Sequence, residues 1–149
     1  VTSVLHSDGA GADLISVPAG GTMLPYNHIN HEKELYFKMR GRDVFDFAVS
    51  KAPEVIRELL DQANITIGQV KYIIPHQANI NIIKAIAEGL QIDLDRFVIN
   101  LDRYGNTAAA STIIALDELV RSDNLETGDY VILVAFGGGL AWGSNLIIM

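Results

Sequence analysis

The sequence predicts a single α/β domain over residues 1–149, with a five-stranded mixed sheet, helices on both faces of the sheet and an antiparallel last strand. One observation behind this prediction is that β-branched runs alternate with segments whose apolar residues recur at helical spacing, which is typical of α/β sheets. Another is that the last two apolar runs, 129–136 and 140–149, lie too close together for a helical crossover. Strands joined so closely pair antiparallel.

The first quarter of the chain predicts short strands separated by loops. The β-branched run VTSVLHS at 1–7 is typical of a first strand. Residues 7–31 are rich in glycine, alanine, proline and asparagine, which predicts a long loop with one short strand in DLISVPA at 13–19. The run ELYFKMRG at 34–41 predicts a further strand that ends at its glycine.

The middle of the chain predicts helices and strands in alternation. Apolar residues recur at helical spacing from 42 to 62 and predict a long helix, which Pro53 is expected to kink. VKYIIP at 70–75 then predicts a strand, residues 78–90 a second helix, and RFVIN at 96–100 another strand.

The last part predicts a helix and two strands. Residues 107–121 carry almost no charge before Asp117, so this helix is expected to be buried on several sides. The window 130–149 is uncharged and long enough for a membrane span. Its three successive glycines, Gly137–Gly139, each disfavour a helix by about 1 kcal/mol relative to alanine. Two buried strands joined at a glycine turn are therefore the better interpretation.

The composition excludes several classes of function. A hydrophobic fraction of 49% with 19% charged residues is typical of a globular protein. The net charge of −7 argues against nucleic-acid and anionic-membrane partners, because both need clustered basic residues. The chain has no cysteine, so it offers no disulfide, thiolate metal site or cysteine nucleophile. No signal peptide is recognised at its start, and a cytoplasmic location is expected.

Polar or glycine residues follow three predicted strands. His76 follows the strand at 70–75, Asn106 follows the strand at 96–100, and Gly137–Gly139 follow the strand at 129–136. Ligand sites in open α/β sheets gather beyond the carboxyl ends of strands. A neutral histidine and an asparagine each offer an N–H donor, and two such donors can stabilise a developing oxyanion or enolate.

Structural interpretations of the same residues remain open. A histidine after a strand is often a hydrogen-bonded structural residue, and an asparagine before a helix is a common cap. The SDGAGAD loop at 7–13 is similar to a phosphate-binding glycine loop but lacks the helix that such a loop requires. The two histidines of HINHE at 28–32 lack the helical spacing of a zinc site, so no metal site is expected.

Three motifs resemble a known enzyme family. IIPHQANINII at 73–83, NLDRYGNTAAAS at 100–111 and AFGGGLAWGS at 135–144 resemble the signature blocks of β-ketoacyl-acyl-carrier-protein synthase III. LHSDGAGADL at 5–14 and MRGRDVFDFAV at 39–49 extend the resemblance over nearly the whole chain. The resemblance implies one half of a thiolase-like fold, the carboxyl-terminal half. It also implies an acyltransferase that initiates fatty-acid synthesis by decarboxylative Claisen condensation of acyl-CoA with malonyl carrier protein.

The resemblance also implies roles for individual residues. His76 and Asn106 would be the catalytic pair that binds the malonyl thioester carbonyl, with His76 neutral. Phe136 would line the malonyl pocket, and the backbone N–H of Gly138 would form part of an oxyanion hole. The pantetheine arm would be lined by Met39, Gly41, Phe45, Ala48 and Asn79. Lys84 and Asn81 would contact the carrier protein. No cofactor is expected beyond the coenzyme A thioester substrate, and the full-length enzyme is expected to be a homodimer.

Two departures from the family's pattern carry consequences. The family's nucleophilic cysteine lies in the other half of the fold, so this chain is not expected to complete the condensation alone. Asp46, Asn81 and Glu88 stand where bases would meet an acidic carrier protein, which weakens electrostatic steering. A related condensing enzyme of a specialised polyketide-type pathway and a non-catalytic assembly subunit are therefore the alternatives.

Overall fold

The fold is α/β, and a computed structural model describes residues 2–149. The helices and strands are β1 Thr2–Ser7, β2 Ile15–Ser16, β3 Lys38–Met39, α1 Gly41–Ala63, β4 Val70–Pro75, α2 Ile80–Leu90, α3 Leu101–Tyr104, α4 Ser111–Arg121, β5 Tyr130–Gly137 and β6 Ala141–Ile148. Short 3-10 turns lie at Gly9–Leu14, Tyr26–His28, Glu32–Leu35, Ile67–Gln69, Leu94–Arg96 and Ala108–Ala110.

The main sheet over residues 2–149 has four strands in the order β1-β6-β5-β4. β4 and β5 are parallel, with Pro75 opposite Val134, so their carboxyl ends lie at one edge of the sheet. β6 returns antiparallel to β5 from the turn at Gly137–Ala141, which confirms the predicted direction of the last strand. β1 pairs antiparallel with β6 on its other side.

The prediction of a fifth strand at 96–100 is wrong. Its pairing with β4 is limited to one parallel bridge between Ile73 and Phe97. The Val98 N–H donates to the Ile73 carbonyl oxygen at 2.9 Å, and regular pairing stops there. The segment nevertheless runs parallel to β4, so its end reaches the same edge of the sheet.

The side chain of Gln77 explains why this pairing stops. Its Nε2 donates to the carbonyl oxygens of Pro75 and Val98, at 2.8 and 3.1 Å. Its Oε1 accepts from the Asn100 N–H at 3.1 Å. A buried side chain thus satisfies backbone groups that a strand ladder would otherwise pair.

The core has two parts because the residues of β5 alternate between the faces of the sheet. Ile132 and Val134 belong to the larger cluster, which α1 and α2 cover. Val131 points to the opposite face and packs in a smaller cluster with Ala115 and Leu119 of α4. Helices therefore cover both faces, as predicted.

The strand predicted at 34–41 is shorter than expected. Only Lys38–Met39 form a strand, which pairs with Ile15–Ser16 in a separate two-stranded sheet. The residues before it form a 3-10 turn at Glu32–Leu35, which begins with a capping box between His31 and Glu34. Local hydrogen bonds of this kind compete with strand pairing.

The helices differ from the predicted ones in detail. α1 continues through Pro53 to Ala63. α2 begins two residues later than predicted, because the Asn79 side chain caps it by accepting from the Asn81 N–H at 2.7 Å. The expectation that the helix at 107–121 is buried on several sides is wrong, since only one face of α4 is buried. Within residues 2–149, no helix has both the length and the apolarity needed to cross a bilayer.

Candidate active site

A cavity of about 590 Å³ lies where β4 and β5 end. The predicted site residues that line it are His76, Asn106, Phe136, Gly138, Met39, Gly41, Phe45 and Asn79. The parallel register of β4 and β5 brings His76 and Phe136 to this edge, and the loop before α4 brings Asn106. The convergence expected from the strand ends is therefore present in the structure.

His76 is held firmly at the wall of this cavity. Its backbone N–H donates to the Val134 carbonyl oxygen at 2.8 Å, so the residue extends the pairing of β4 with β5. Its Nδ1 lies 2.6 Å from Ser111 Oγ, at the first residue of α4. The ring meets Phe136 edge to face, with 5.4 Å between the ring centroids. Burial lowers the pKa of the His76 imidazole from its ordinary 6.5, so the ring is neutral at pH 7.

Asn106 forms a local turn that leaves its amide nitrogen available. Its Oδ1 accepts from the Ala108 N–H at 2.9 Å, an arrangement typical of asparagine in turns. Since the oxygen faces the backbone, the Nδ2 donor is the group that remains for a ligand. Gly105 and Ala108 both have positive φ, 67° and 51°, which gives the loop around Asn106 its shape.

The segment before Asn106 is tied to α4 by Glu118. Arg103 donates to both of its carboxylate oxygens, at 2.5 and 2.8 Å. The Asn100 amide and the Tyr104 hydroxyl donate to the same carboxylate, at 2.8 and 2.9 Å. These donors, that of Asn100 foremost, lower the pKa of Glu118. The carboxylate therefore fixes α3, and with it the start of the Asn106 loop.

The glycine turn between β5 and β6 forms another wall. Gly138 is exposed to the cavity. Gly139 has a φ of 144°, and a Cβ there would lie 2.9 Å from the Ala141 nitrogen, so the position requires glycine. Asp8 and Leu140 exchange two backbone hydrogen bonds of 2.8 Å, which tie this turn to the loop after β1.

The other predicted site residues do not all reach the cavity. Ala48 lies on the buried face of α1 and is fully enclosed in the core. Asn81 and Lys84 are exposed on the outer surface of α2. Lys84 lines a smaller, shallow depression of about 340 Å³, separate from the main cavity.

Sequence reasoning missed three residues that build this site. Ser111 bonds His76, Gln77 joins β4 to the segment before Asn106, and Glu118 fixes α3. Ser111 and Gln77 stand out in the sequence as polar residues inside largely apolar segments. That signal does not distinguish them from ordinary caps and surface residues.

The chain is similar in sequence to proteins of one enzyme family. Residues 60–149 match the family described as 3-oxoacyl-[acyl-carrier-protein (ACP)] synthase III C terminal. The β-ketoacyl-[acyl-carrier-protein] synthase III of Clostridioides difficile is 44% identical over 144 residues, which is 96% of this chain and 44% of that protein. The chain thus spans less than half the length of the curated relatives that it matches.

Solved structures agree in fold. The β-ketoacyl-acyl-carrier-protein synthase III of Thermus thermophilus superposes with a TM-score of 0.88 and 36% identity, over 99% of this chain and 45% of that one. The priming β-ketosynthase of the R1128 polyketide pathway superposes with a TM-score of 0.83 and 28% identity, over 99% of this chain and 44% of that one.

Proposed function

The chain belongs to the 3-oxoacyl-acyl-carrier-protein synthase III carboxyl-terminal family, and from that membership we propose that it supplies the decarboxylation site of a condensing enzyme. The substrates would be an acyl-CoA and a malonyl thioester on an acyl carrier protein. The observation that carries the proposal is that His76 and Asn106 line one cavity together with Phe136 and the glycine turn.

Each group has a definite part in the proposed reaction. The malonyl thioester carbonyl oxygen accepts hydrogen bonds from the His76 ring and from Asn106 Nδ2. When the bond to the carboxylate breaks, carbon dioxide leaves and the electron pair moves onto that oxygen as an enolate. Fixed donors that meet the developing charge stabilise this transition state. The Phe136 side chain provides an apolar wall that favours loss of the charged carboxylate.

The second half-reaction needs a group from outside this sequence. The enolate carbon attacks an acyl thioester, and the thiolate leaves as the new carbon–carbon bond forms. The chain contains no cysteine, so the acyl-bearing thiol would come from elsewhere in the complete protein or from a partner chain. The Gly138 N–H would stabilise the oxyanion of this step. No cofactor is needed beyond the thioesters, and a homodimer is proposed for the complete enzyme.

The pantetheine arm of either substrate would enter along α1 and the start of α2. Met39, Gly41, Phe45 and Asn79 line this side of the cavity. Ala48, which is fully buried, would support that wall from behind. Asn81 and Lys84 lie nearby on α2, where a carrier protein would dock.

The test is decarboxylation of malonyl carrier protein by the intact protein carrying His76→Ala or Asn106→Ala. Each substitution is expected to lower kcat by about 10²–10³, the usual cost of losing one oxyanion donor. Asn27→Ala and His28→Ala are matched controls, because both side chains are exposed in a turn that does not line the cavity. Unchanged decarboxylation in both site variants would contradict the proposal.

A second candidate is a related enzyme that condenses CoA thioesters in a polyketide-type pathway. The acidic or neutral residues Asp46, Asn81 and Glu88 favour it, because they weaken attraction to an acidic carrier protein. The structural similarity to a priming polyketide synthase is consistent with it. Comparing kcat/KM for malonyl carrier protein with that for malonyl-CoA distinguishes the two, since preference for free malonyl-CoA would favour the second candidate.

A further inference from the structure

Ser111 occupies a buried position between the two loops of the site. It is the first residue of α4 and is 2% exposed. Its Oγ lies 2.6 Å from His76 Nδ1 and 3.2 Å from the Gln77 backbone nitrogen. These are the hydrogen-bond partners of the hydroxyl among residues 2–149, so one side chain joins the end of β4 to the helix that follows Asn106.

Counting hydrogens fixes the direction of the bond to His76. The Gln77 N–H can only donate, so Ser111 Oγ is its acceptor. The hydroxyl has a single hydrogen of its own, and the remaining partner is His76 Nδ1. If Nδ1 carried the proton instead, the buried hydroxyl hydrogen would have no acceptor, which is costly. The Ser111 hydroxyl therefore donates to Nδ1, and the imidazole proton resides on Nε2.

We propose that Ser111 is a positioning residue, which holds His76 as the Nε2–H tautomer and so aims a proton donor at the cavity. This inference rests on the proposed function, because only a developing negative charge requires a donor there. A neutral imidazole has one N–H, so the other tautomer would present a lone pair to the enolate oxygen. The backbone N–H of Gln77 contributes because it donates to Ser111 Oγ and cannot accept from it, so His76 Nδ1 is the acceptor for the hydroxyl hydrogen.

The tautomer is measurable without any turnover. In the intact protein with ¹⁵N-labelled histidine, His76 is expected to show a protonated Nε2 and an unprotonated, hydrogen-bonded Nδ1. His76→Gln assigns the resonances among the four histidines of the chain. A wild-type spectrum with the proton on Nδ1 would overturn the proposal by itself, whatever the variants do.

Ser111→Ala tests the cause. Without the hydroxyl, the His76 signals are expected to move toward a mixture of the two tautomers. Ser144→Ala is the matched control: Ser144 is a fully buried serine that donates to the Val55 carbonyl oxygen at 3.0 Å, away from the cavity. The Ser144→Ala protein should lose about as much stability as Ser111→Ala and keep the wild-type His76 spectrum. A folded Ser111→Ala protein with the wild-type spectrum would refute the assignment.

Kinetics separate this inference from the proposed function. Ser111→Ala is expected to lower kcat for decarboxylation about ten- to a hundredfold, the range known for residues that orient metal-binding histidines. KM is expected to stay within about twofold, because substrate binding does not use the hydroxyl. If His76→Ala and Asn106→Ala reduce decarboxylation while Ser111→Ala leaves kcat intact, the role of Ser111 falls and the proposed function stands. If the tautomer shifts and none of the three affects decarboxylation, the proposed function falls and the structural assignment stands.

Discussion

Protonation of the His76 imidazole is coupled to the stability of the folded chain, because the ring is partly buried. Burial disfavours the imidazolium, so the pKa of His76 is below 6.5 in the folded state. Above that pH both folded and unfolded states are neutral at this position. As the pH falls below it, the unfolded chain takes up a proton before the folded one, and the free energy of unfolding decreases.

A pH series should reveal this coupling. Between about pH 7.5 and about pH 5.5, a range that spans the ordinary histidine pKa, the wild type is expected to lose more stability than His76→Gln does. Urea unfolding of both proteins at each pH measures the difference. Parallel pH dependences for the two proteins would show that burial does not depress the pKa of His76.

Ala108 is a second residue whose backbone matters more than its side chain. It adopts a φ of 51°, in the left-handed region that penalises residues with a Cβ by about 1 kcal/mol. Ala110, two positions on, has an ordinary φ of −77°. Ala108→Gly is therefore expected to be about 1 kcal/mol more stable than Ala110→Gly, which only gains flexibility in the unfolded state. Denaturant unfolding of the two variants checks this, and equal stabilities would contradict it.

At the scale of single residues, the sequence could place candidates but not their partners. Alternation of strands and helices placed His76, Asn106 and Gly138 at one edge of the sheet, and all three line the cavity. Their catalytic roles stay predictions. The contacts of Ser111 and Glu118 could not be predicted, because they join residues 35 and at least 14 positions apart through side chains. Spacing along the chain carries no information about such contacts.

At the scale of elements, the predictions succeeded where backbone pairing decides the structure. β1, β4 and β6 lie within the predicted runs, and β5 extends one residue beyond its run, to Gly137, because β-branched and apolar residues favour strands. The prediction failed at 96–100, where the Gln77 side chain takes over the pairing. It also failed at 34–41, where a capped turn replaces most of the strand.

Gln77 is therefore expected to be critical to the arrangement of elements. Gln77→Leu preserves the size of the side chain but removes the side-chain partner of the buried Pro75 carbonyl, the buried Asn100 N–H and the part-buried Val98 carbonyl. The expected loss is about 2–4 kcal/mol of unfolding free energy, because each unsatisfied buried group costs about 1–3 kcal/mol. Faster hydrogen exchange at the Asn100 amide should accompany it.

Gln62→Leu provides the control for that measurement. Gln62 is an exposed glutamine of α1, so the same substitution is expected to change stability by less than about 0.5 kcal/mol. Equal effects of the two substitutions would mean that the Gln77 side chain does not hold the segment before Asn106 in place.

At the scale of the whole molecule, the outer face of α4 exposes two large apolar side chains beside the ion pair of Asp117 with Arg121. Ile113 and Val120, two turns apart on the same side of the helix, are 57% and 49% exposed. The sequence predicted an apolar helix, but composition alone could not show which side of it this chain leaves uncovered. The chain covers only 44% of the Clostridioides difficile relative, so its relatives contain much more structure than this chain does.

The 149-residue chain on its own is therefore expected to associate through this face and to bind an apolar dye, as exposed apolar patches generally do. Ile113→Glu should weaken both effects, because it replaces the most exposed apolar side chain of α4 with a charged one at a position that packing does not restrict. Val17→Glu introduces the same charge at a valine that is 51% exposed outside α4, and it should change neither effect. Sedimentation and dye fluorescence of the three proteins measure the outcome. A monomeric, dye-silent wild-type chain would show that the open side of α4 is not an association surface.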